Sequence, residues 1–234
     1  MTSGSLPPDA VNYHDALAAE WSAGYGSGGF RKRMLFVERA LRSVVKPGER
    51  WLDLGCGSGV LARRLDLLGA VGMALDGSKN MIRAATSEAR SAGLNGFEYR
   101  QVETIEHIDL PDASFDGILC SSVIEYLDAP GKALNEMARL LRADGQLLIS
   151  VPNRFSLVRA AQRTVKVVGG AVTRRNYFPY LDVSRHQYSR RQIVAELEAR
   201  SFRVLSTDDF DPVLPDWAAG WLPSALIFVS ACRL

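Results

Sequence analysis

The spacing of apolar and polar positions changes period along this chain. From Val11 to Ala23 and from Phe30 to Val45, apolar residues recur at helical intervals. In the second segment Met34, Val37, Leu41 and Val44 share one side, which predicts amphipathic helices. The glycine-rich stretch Gly24–Gly29 separates the two, and Pro47-Gly48 ends the second. Beyond it the pattern alternates. Arg50–Leu54 reads as a short buried strand, Val60–Leu68 as a helix, and Val71–Leu75 as a strand ending at Asp76. Asn80–Ala92 reads as a helix closed by Gly93, with Phe97–Gln101 and Phe115–Cys120 as strands. Pro130–Leu141 is a helix that turns at Asp144-Gly145 into the strand Gln146–Val151. The rhythm lapses over 152–188. It resumes with a helix at Ser189–Arg200 and strands at Phe202–Leu205 and Ala225–Ala231.

Strands that alternate with helices through short connections predict an α/β fold: a Rossmann-like, doubly wound, mostly parallel seven-stranded sheet with helices on both faces. Four parts follow: an N-terminal helical cap or lid (1–45), a ligand-binding core (46–151), a variable cap insert (152–188) and the C-terminal part of the sheet (189–234). Residues 1–9, with their Pro-Pro pair, are expected to fray. Ligands on such sheets sit beyond the carboxyl ends of the strands. That rule gathers the segments after Leu54, Leu75, Gln101 and Cys120 around one crevice.

The chemistry concentrates in Leu52-Asp53-Leu54-Gly55-Cys56-Gly57-Ser58-Gly59. Glycines at alternate positions let a backbone turn sharply and approach a ligand, and a helix starting near Ser58 would turn free N–H groups toward it. Asp76, at the end of the next strand, can accept both hydroxyls of a ribose; the competing reading is a turn residue before Gly77-Ser78.

These residues resemble the class I S-adenosylmethionine-dependent methyltransferases, in particular the ubiquinone-biosynthesis O-methyltransferase branch. The loop after Asp53 looks like that family's first motif. The segments from Phe115 to Tyr126 and from Leu140 to Ile149 are similar to its fourth strand and the following helix–turn–strand. The resemblance implies S-adenosylmethionine as cofactor and a small-molecule acceptor. It implies that Gly55, Cys56, Gly57 and Gly59 line the methionine end and the ribose, with Asp53 orienting the loop. Asp76 would hold the ribose and Gly77-Ser78 would lie beneath the adenine. Val102-Glu103 would stand beside the adenine amine, and Ser121 and Ser122 under the transferred methyl. Tyr13 and His14 open a first helix that caps the cofactor in similar enzymes. Related O-methyltransferases often read Glu-His where this chain reads Glu125-Tyr126, so acceptor chemistry does not carry over.

Four side chains are candidates for proton transfer or acceptor orientation: His186 first, then His14, with Glu125 and Tyr126 nearer the cofactor by the same resemblance. No clustered histidines support a metal site. Arg33, or Arg31 beside it, can fork onto a cofactor carboxylate. The glycines before them predict a lid that closes over bound cofactor.

Composition adds one local feature. Hydrophobic residues make up 47% of the 234 and charged residues 23%, enough apolar material for a single large core. Lys and Arg total 28 against 26 acids, and a net charge of +2 gives no argument for nucleic acid. Yet Gly145–Leu181 contains no acidic residue, while Arg154, Arg159, Arg163, Lys166, Arg174 and Arg175 fall inside it. Phe155, Val158, Ala161 and Val165 recur there at helical spacing, with Phe178, Tyr180, Trp217 and Trp221 as aromatic bulk further on. Three readings stand open: a surface helix with solvated charges, a cap over an aromatic, apolar or anionic acceptor, and weak attachment to an anionic membrane surface. The three cysteines form no CxxC pair, and the first residues lack a signal-peptide pattern, so a reducing, cytoplasmic setting is the expectation. Oligomeric state is left open. N-methylation of an amine, a nicotinamide-dependent dehydrogenase and a non-catalytic binding module are the alternatives. The GxGxG spacing and the lack of a Tyr-x-x-x-Lys pair count against the dehydrogenase. An intact loop with Asp76 counts against a relic.

Overall fold

The computed structural model describes residues 10–173, 175–214 and 221–234. The fraying expected at residues 1–9, and the roles given to Arg174 and Trp217, lie outside the described residues. Seven strands form one sheet: β1 (Arg50–Leu54), β2 (Val71–Asp76), β3 (Phe97–Gln101), β4 (Phe115–Ser121), β5 (Leu141–Pro152), β6 (Phe202–Phe210) and β7 (Leu226–Arg233). Their order is β3-β2-β1-β4-β5-β7-β6. The first five pair in parallel and β7 runs antiparallel to both neighbours. The α/β, mostly parallel sheet read from the sequence is the one observed.

Alternation within β1 shows how the two faces are filled. Leu52 and Leu54 pack with Ile118, Ile149 and Val229 on one side, and Trp51 with Leu41, Leu65 and Phe97 on the other. A strand covered on both faces has no polar side to show, which is why the run from Trp51 to Leu54 is wholly buried, Asp53 included. The helices covering the sheet start on local signals. Ser78 caps α4 (Lys79–Ser91) by accepting from Met81 N, Pro130 opens α5 (Pro130–Leu140), and Ser189 and Gln192 form a capping box on α8 (Arg190–Glu198).

Two strands outrun their sequence reading. β5 already pairs with β4 at Leu141 and resumes at Gln146; the expected turn survives as an irregularity, with Asp144 in the left-handed region at φ 61°. β6 extends through the polar run Ser206–Asp209 because it is the edge strand, where residues facing water need no apolar pattern.

The N-terminal segment forms α1 (Ala10–Gly24) and α2 (Gly28–Val44), and α3 (Val60–Leu67) follows the glycine loop. The insert holds α6 (Leu157–Thr173) and the short α7 (Tyr180–Val183). Its two ends are stapled together: Tyr188 N donates to Pro152 O and Arg154 N to Tyr188 O, both at 2.9 Å. Of the three readings of the insert, the structure places part of α6 on a cavity wall, with much of its apolar side outward. Phe155, Val165, Val168 and Val172 are exposed, while Arg159 is buried and Gln162 and Lys166 are half-covered. Its polar face turns toward the molecule because that wall is a cavity and not a core. Among the described residues no helix is long and apolar enough to cross a membrane.

Candidate active site

A cavity of about 910 Å³ opens at the carboxyl ends of β1, β2 and β4. This lies in the upper part of the roughly 300–1,000 Å³ range of small-molecule sites. α1 and α2 roof it, the insert walls one side through Val158, Arg159, Gln162 and Tyr180, and Pro212, Val213, Ala225 and Leu226 close it beyond β6 and β7.

The loop after β1 supplies the floor. Gly55, Gly57 and Gly59 all have positive φ (68°, 52° and 73°), which an L-side chain adopts only with strain. At Gly55 a Cβ would also overlap the Val123 side chain; at Gly59 it would stand 2.8 Å from Ala85 and Tyr99 carbons. Gly55, Cys56 and Gly57 line the cavity, whereas Gly59 lies behind them as the residue from which α3 starts. The helix begins at Val60, as the spacing predicts, one residue past Gly59.

Asp76 ties the loop to β2. Its Oδ2 accepts from Gly57 N and its Oδ1 from Ser78 N, each at 2.8 Å, and the carboxylate still faces the cavity. Burial raises its pKa while the two amides pull it down. Asp53 lies deeper, with Oδ2 lacking a partner; burial, and next the charge of Asp76, push its carboxyl up to about 7. Gly77, Val102 and Glu103 form the wall on the β2–β3 side. Ser78 is buried away from that wall, its hydroxyl engaged in capping α4 and in bonding Asp15.

The end of β4 carries the densest polar cluster. Ser121 and Ser122 line the cavity, and Ser122 sits at φ 56°, a left-handed kink that turns the chain into the 3-10 turn Ile124–Tyr126. Arg33 Nη2 donates to Ser121 O and Oγ, both at 2.8 Å, which fixes the guanidinium on the wall; Arg31 lies outside it. Glu125 is fully buried, lines the cavity, and has no hydrogen-bond partner on either carboxylate oxygen. Burial pushes its pKa up to about 7 against the pull of its own backbone N–H, then of the Arg159 and Arg33 guanidiniums and the nearby Ser122 hydroxyl. Tyr126 beside it is a phenol whose pKa burial raises, so it remains a proton donor at neutral pH.

Of the two histidine candidates, only His14 is on the wall. Its Nδ1 donates to Ala10 O at 2.7 Å, leaving Nε2 uncommitted, and its ring packs edge-on to Tyr126 and Trp21. Burial lowers its pKa and keeps it neutral. His186, the first choice from sequence, stands outside the cavity. Its Nε2 lies 2.9 Å from Leu127 O, and its backbone N donates to Glu125 O. The ring braces the turn that carries Glu125 and does not line the cavity.

Sequence reasoning missed Trp21, Tyr25 and Phe30 on the roof and Gln162 on the insert, and it named Arg159 only among the insert's basic residues. The aromatics had a signal in their clustering around the glycine-rich link. Arg159 had none, because nothing local distinguishes an inward arginine from its solvated neighbours.

The match to known proteins adds to this geometry. Residues 52–149 match the model of a methyltransferase domain family, described as "Methyltransferase domain". A ubiquinone biosynthesis O-methyltransferase of Parvibaculum lavamentivorans is 28% identical over 92% of this chain and 88% of its own length. Another, from Caulobacter sp., is 31% identical over 65% of this chain, which spans 66% of that relative. The chain is a class I S-adenosylmethionine-dependent methyltransferase. The solved magnesium protoporphyrin IX methyltransferase of Synechocystis, with SAH bound, shares the methyltransferase's fold at TM-score 0.72, 18% identity and coverage of 96% of this chain and 98% of that one. The cavity fits the cofactor on its own terms. A glycine floor has no room for side chains, Asp76 faces outward from it, and Arg33, the open Oδ2 of Asp53 and the Glu125 carboxyl stand around it.

One contact holds the methyltransferase's roof down. Asp15 on α1 accepts from Ser78 Oγ (2.6 Å) and Asn80 N (2.9 Å) through Oδ1, and from Asn80 Nδ2 (2.5 Å) through Oδ2. Those bonds, led by the Ser78 hydroxyl, lower its pKa. Asp15→Ala is expected to weaken cofactor affinity about tenfold, measured by calorimetry, and to speed proteolysis at residues 24–29. Unchanged affinity and cleavage would show that the latch carries no load.

Proposed function

We propose that this methyltransferase places the methyl group on a hydroxyl oxygen of a small acceptor, with Glu125 taking the displaced proton. The observation that carries the reading is Glu125 itself: a fully buried carboxylate on the cavity wall, beyond Ser121 and Ser122, with neither oxygen hydrogen-bonded. A base works best when its pKa lies near the operating pH, and this one is raised to about 7. The ubiquinone-branch relatives, O-methyltransferases by name, support oxygen as the target.

When bound, S-adenosylmethionine supplies a methyl on a sulfonium, whose S–C bond breaks as the C–O bond forms, leaving neutral S-adenosylhomocysteine. The chain's own groups do the rest. Gly55 and Gly57 would bring bare backbone to the methionine end and ribose, and Asp76 would accept from the ribose hydroxyls. Gly77, Val102 and Glu103 would hold the adenine end, and Arg33 the carboxylate. Ser121 and Ser122 would line the methyl-transfer end of the site. α1, with Tyr13, His14 and Trp21, acts as a cap that excludes water. Tyr126, which keeps its proton, donates to the acceptor, and Glu125 receives the hydroxyl proton as the oxygen attacks. His14 is the second proton acceptor available, through its open Nε2.

Turnover of methyl-labelled cofactor against a panel of phenols, alcohols, amines and carboxylic acids, with the product's methyl located by NMR, tests the reading. An O-methyl ether is expected. Methylation of amines with phenols and alcohols inert would replace it by N-methyl transfer.

A further inference from the structure

The insert turns inward a charge that forms no ion pair among the described residues. Arg159 on α6 is 7% exposed and lies on the cavity wall beside Val158, Gln162 and Tyr180. Its Nη1 donates to Ser184 Oγ across 3.3 Å, and its guanidinium carbon stands 5.7 Å from the centroid of the Tyr180 ring. No carboxylate among the described residues pairs with it. Asp182, on the adjoining α7, is taken by Lys166 at 2.7 Å. Glu125 feels the charge of Arg159 yet makes no hydrogen bond to it. A guanidinium carries five N–H donors in a planar fork, and one long bond to a hydroxyl leaves most of them unmet. Burying a cation without its anion is costly, and a fold that keeps one at a cavity wall has a use for it.

Resting on the reading of this cavity as the methyl-transfer site, we propose that the acceptor carries a carboxylate, which Arg159 takes up through its fork. The geometry also describes the rest of the molecule. The Tyr180 ring, Val158 and Leu226 offer apolar and aromatic flanks between the insert and β7. Glu125 sits within the electrostatic reach of Arg159, so a hydroxyl on the same small skeleton can face it while the carboxylate is held. The acceptor is a hydroxylated aromatic acid or one of similar length. Arginine suits this task better than lysine, because two parallel N–H bonds fix the direction of a carboxylate as well as its place. The orientation of α6 has its explanation here: Arg159 and Gln162 turn inward toward the ligand space.

The test uses the full chain saturated with S-adenosylhomocysteine and a matched pair of probes, 4-hydroxyphenylacetate and 4-hydroxyphenylacetamide, titrated by calorimetry. The acid is expected to bind at least about tenfold more tightly than the amide. Arg159→Gln should erase that preference, and Arg159→Lys should restore part of it. S-adenosylhomocysteine affinity should be equal in all three proteins, which also reports that the variants are folded. Equal binding of the two probes, binding of neither, or a preference that survives in R159Q overturns the proposal. If Arg159 serves only as counter-ion to Glu125, R159Q will shift the pH–rate profile equally for charged and neutral acceptors and leave no acid preference to lose. Failure of the wild-type protein to bind S-adenosylhomocysteine at all would count instead against the methyl-transfer reading.

Discussion

Replacing Glu125 with Gln is expected to lower kcat by about 10²–10⁴, the usual contribution of a positioned base, while S-adenosylhomocysteine binding stays within a few-fold of wild type. Wild-type kcat/KM should rise with pH through about 7, because the carboxyl must be ionised to accept a proton and burial holds its pKa there. E125Q should lose that acidic limb. The same shift has a consequence for stability. An acid whose pKa is higher folded than unfolded binds more protons in the folded state, so stability falls as pH rises. For Glu125 the fall begins near its ordinary value of 4.5 and is complete above about 7. Its full size is on the order of 3 kcal/mol. Asp53, also raised to about 7, adds to it. Thermal melts of the ligand-free protein between pH 5 and 8 should therefore slope downward, and E125Q should flatten the slope in part. A variant with wild-type kcat, or an unchanged acidic limb, would remove Glu125 from the reaction and leave His14 as the group to examine.

Asp76→Ala is expected to weaken cofactor binding by about 10²-fold or more, since two charge-assisted hydrogen bonds to a sugar would be lost. The loop would suffer as well. Asp76 holds Gly57 N and Ser78 N on its two oxygens, so its removal frees the loop that must lie flat against the ligand. Asp76→Asn separates these effects. It keeps the size of the side chain but offers one acceptor oxygen in place of two, and its amide opposes one of the two N–H groups. Its affinity should be at least as poor as that of an alanine whose loop has relaxed, while its thermal stability should be higher. Calorimetry with S-adenosylhomocysteine and melting curves for both variants measure this. Binding within threefold of wild type in D76A would place the ribose elsewhere in the cavity.

How far the sequence reached is clearest at particular residues. Asp53, Gly55, Cys56, Gly57 and Asp76 were legible because each is fixed by neighbours in the chain: strand, tight turn, helix start, next strand. Arg33, Ser121, Ser122, Glu125 and Tyr126 were named too, and all lie on the cavity wall. His186 misled because a histidine beside a helix start reads the same whether its ring faces a ligand or braces a turn. Arg159 was legible only as one of six basic residues in the insert, because nothing local marks which of them turns inward.

What the sequence by itself determined is the parallel sheet and the glycine loop with its acid, since these follow from period, steric freedom and short connections along the chain. Only the tertiary structure decided which way α6 faces, that His186 is spent on Leu127, and that Glu125 is left without a partner. Those are matters of what lies across a cavity from each side chain. Residues far apart in the chain share that space, and no local pattern records which of them meet.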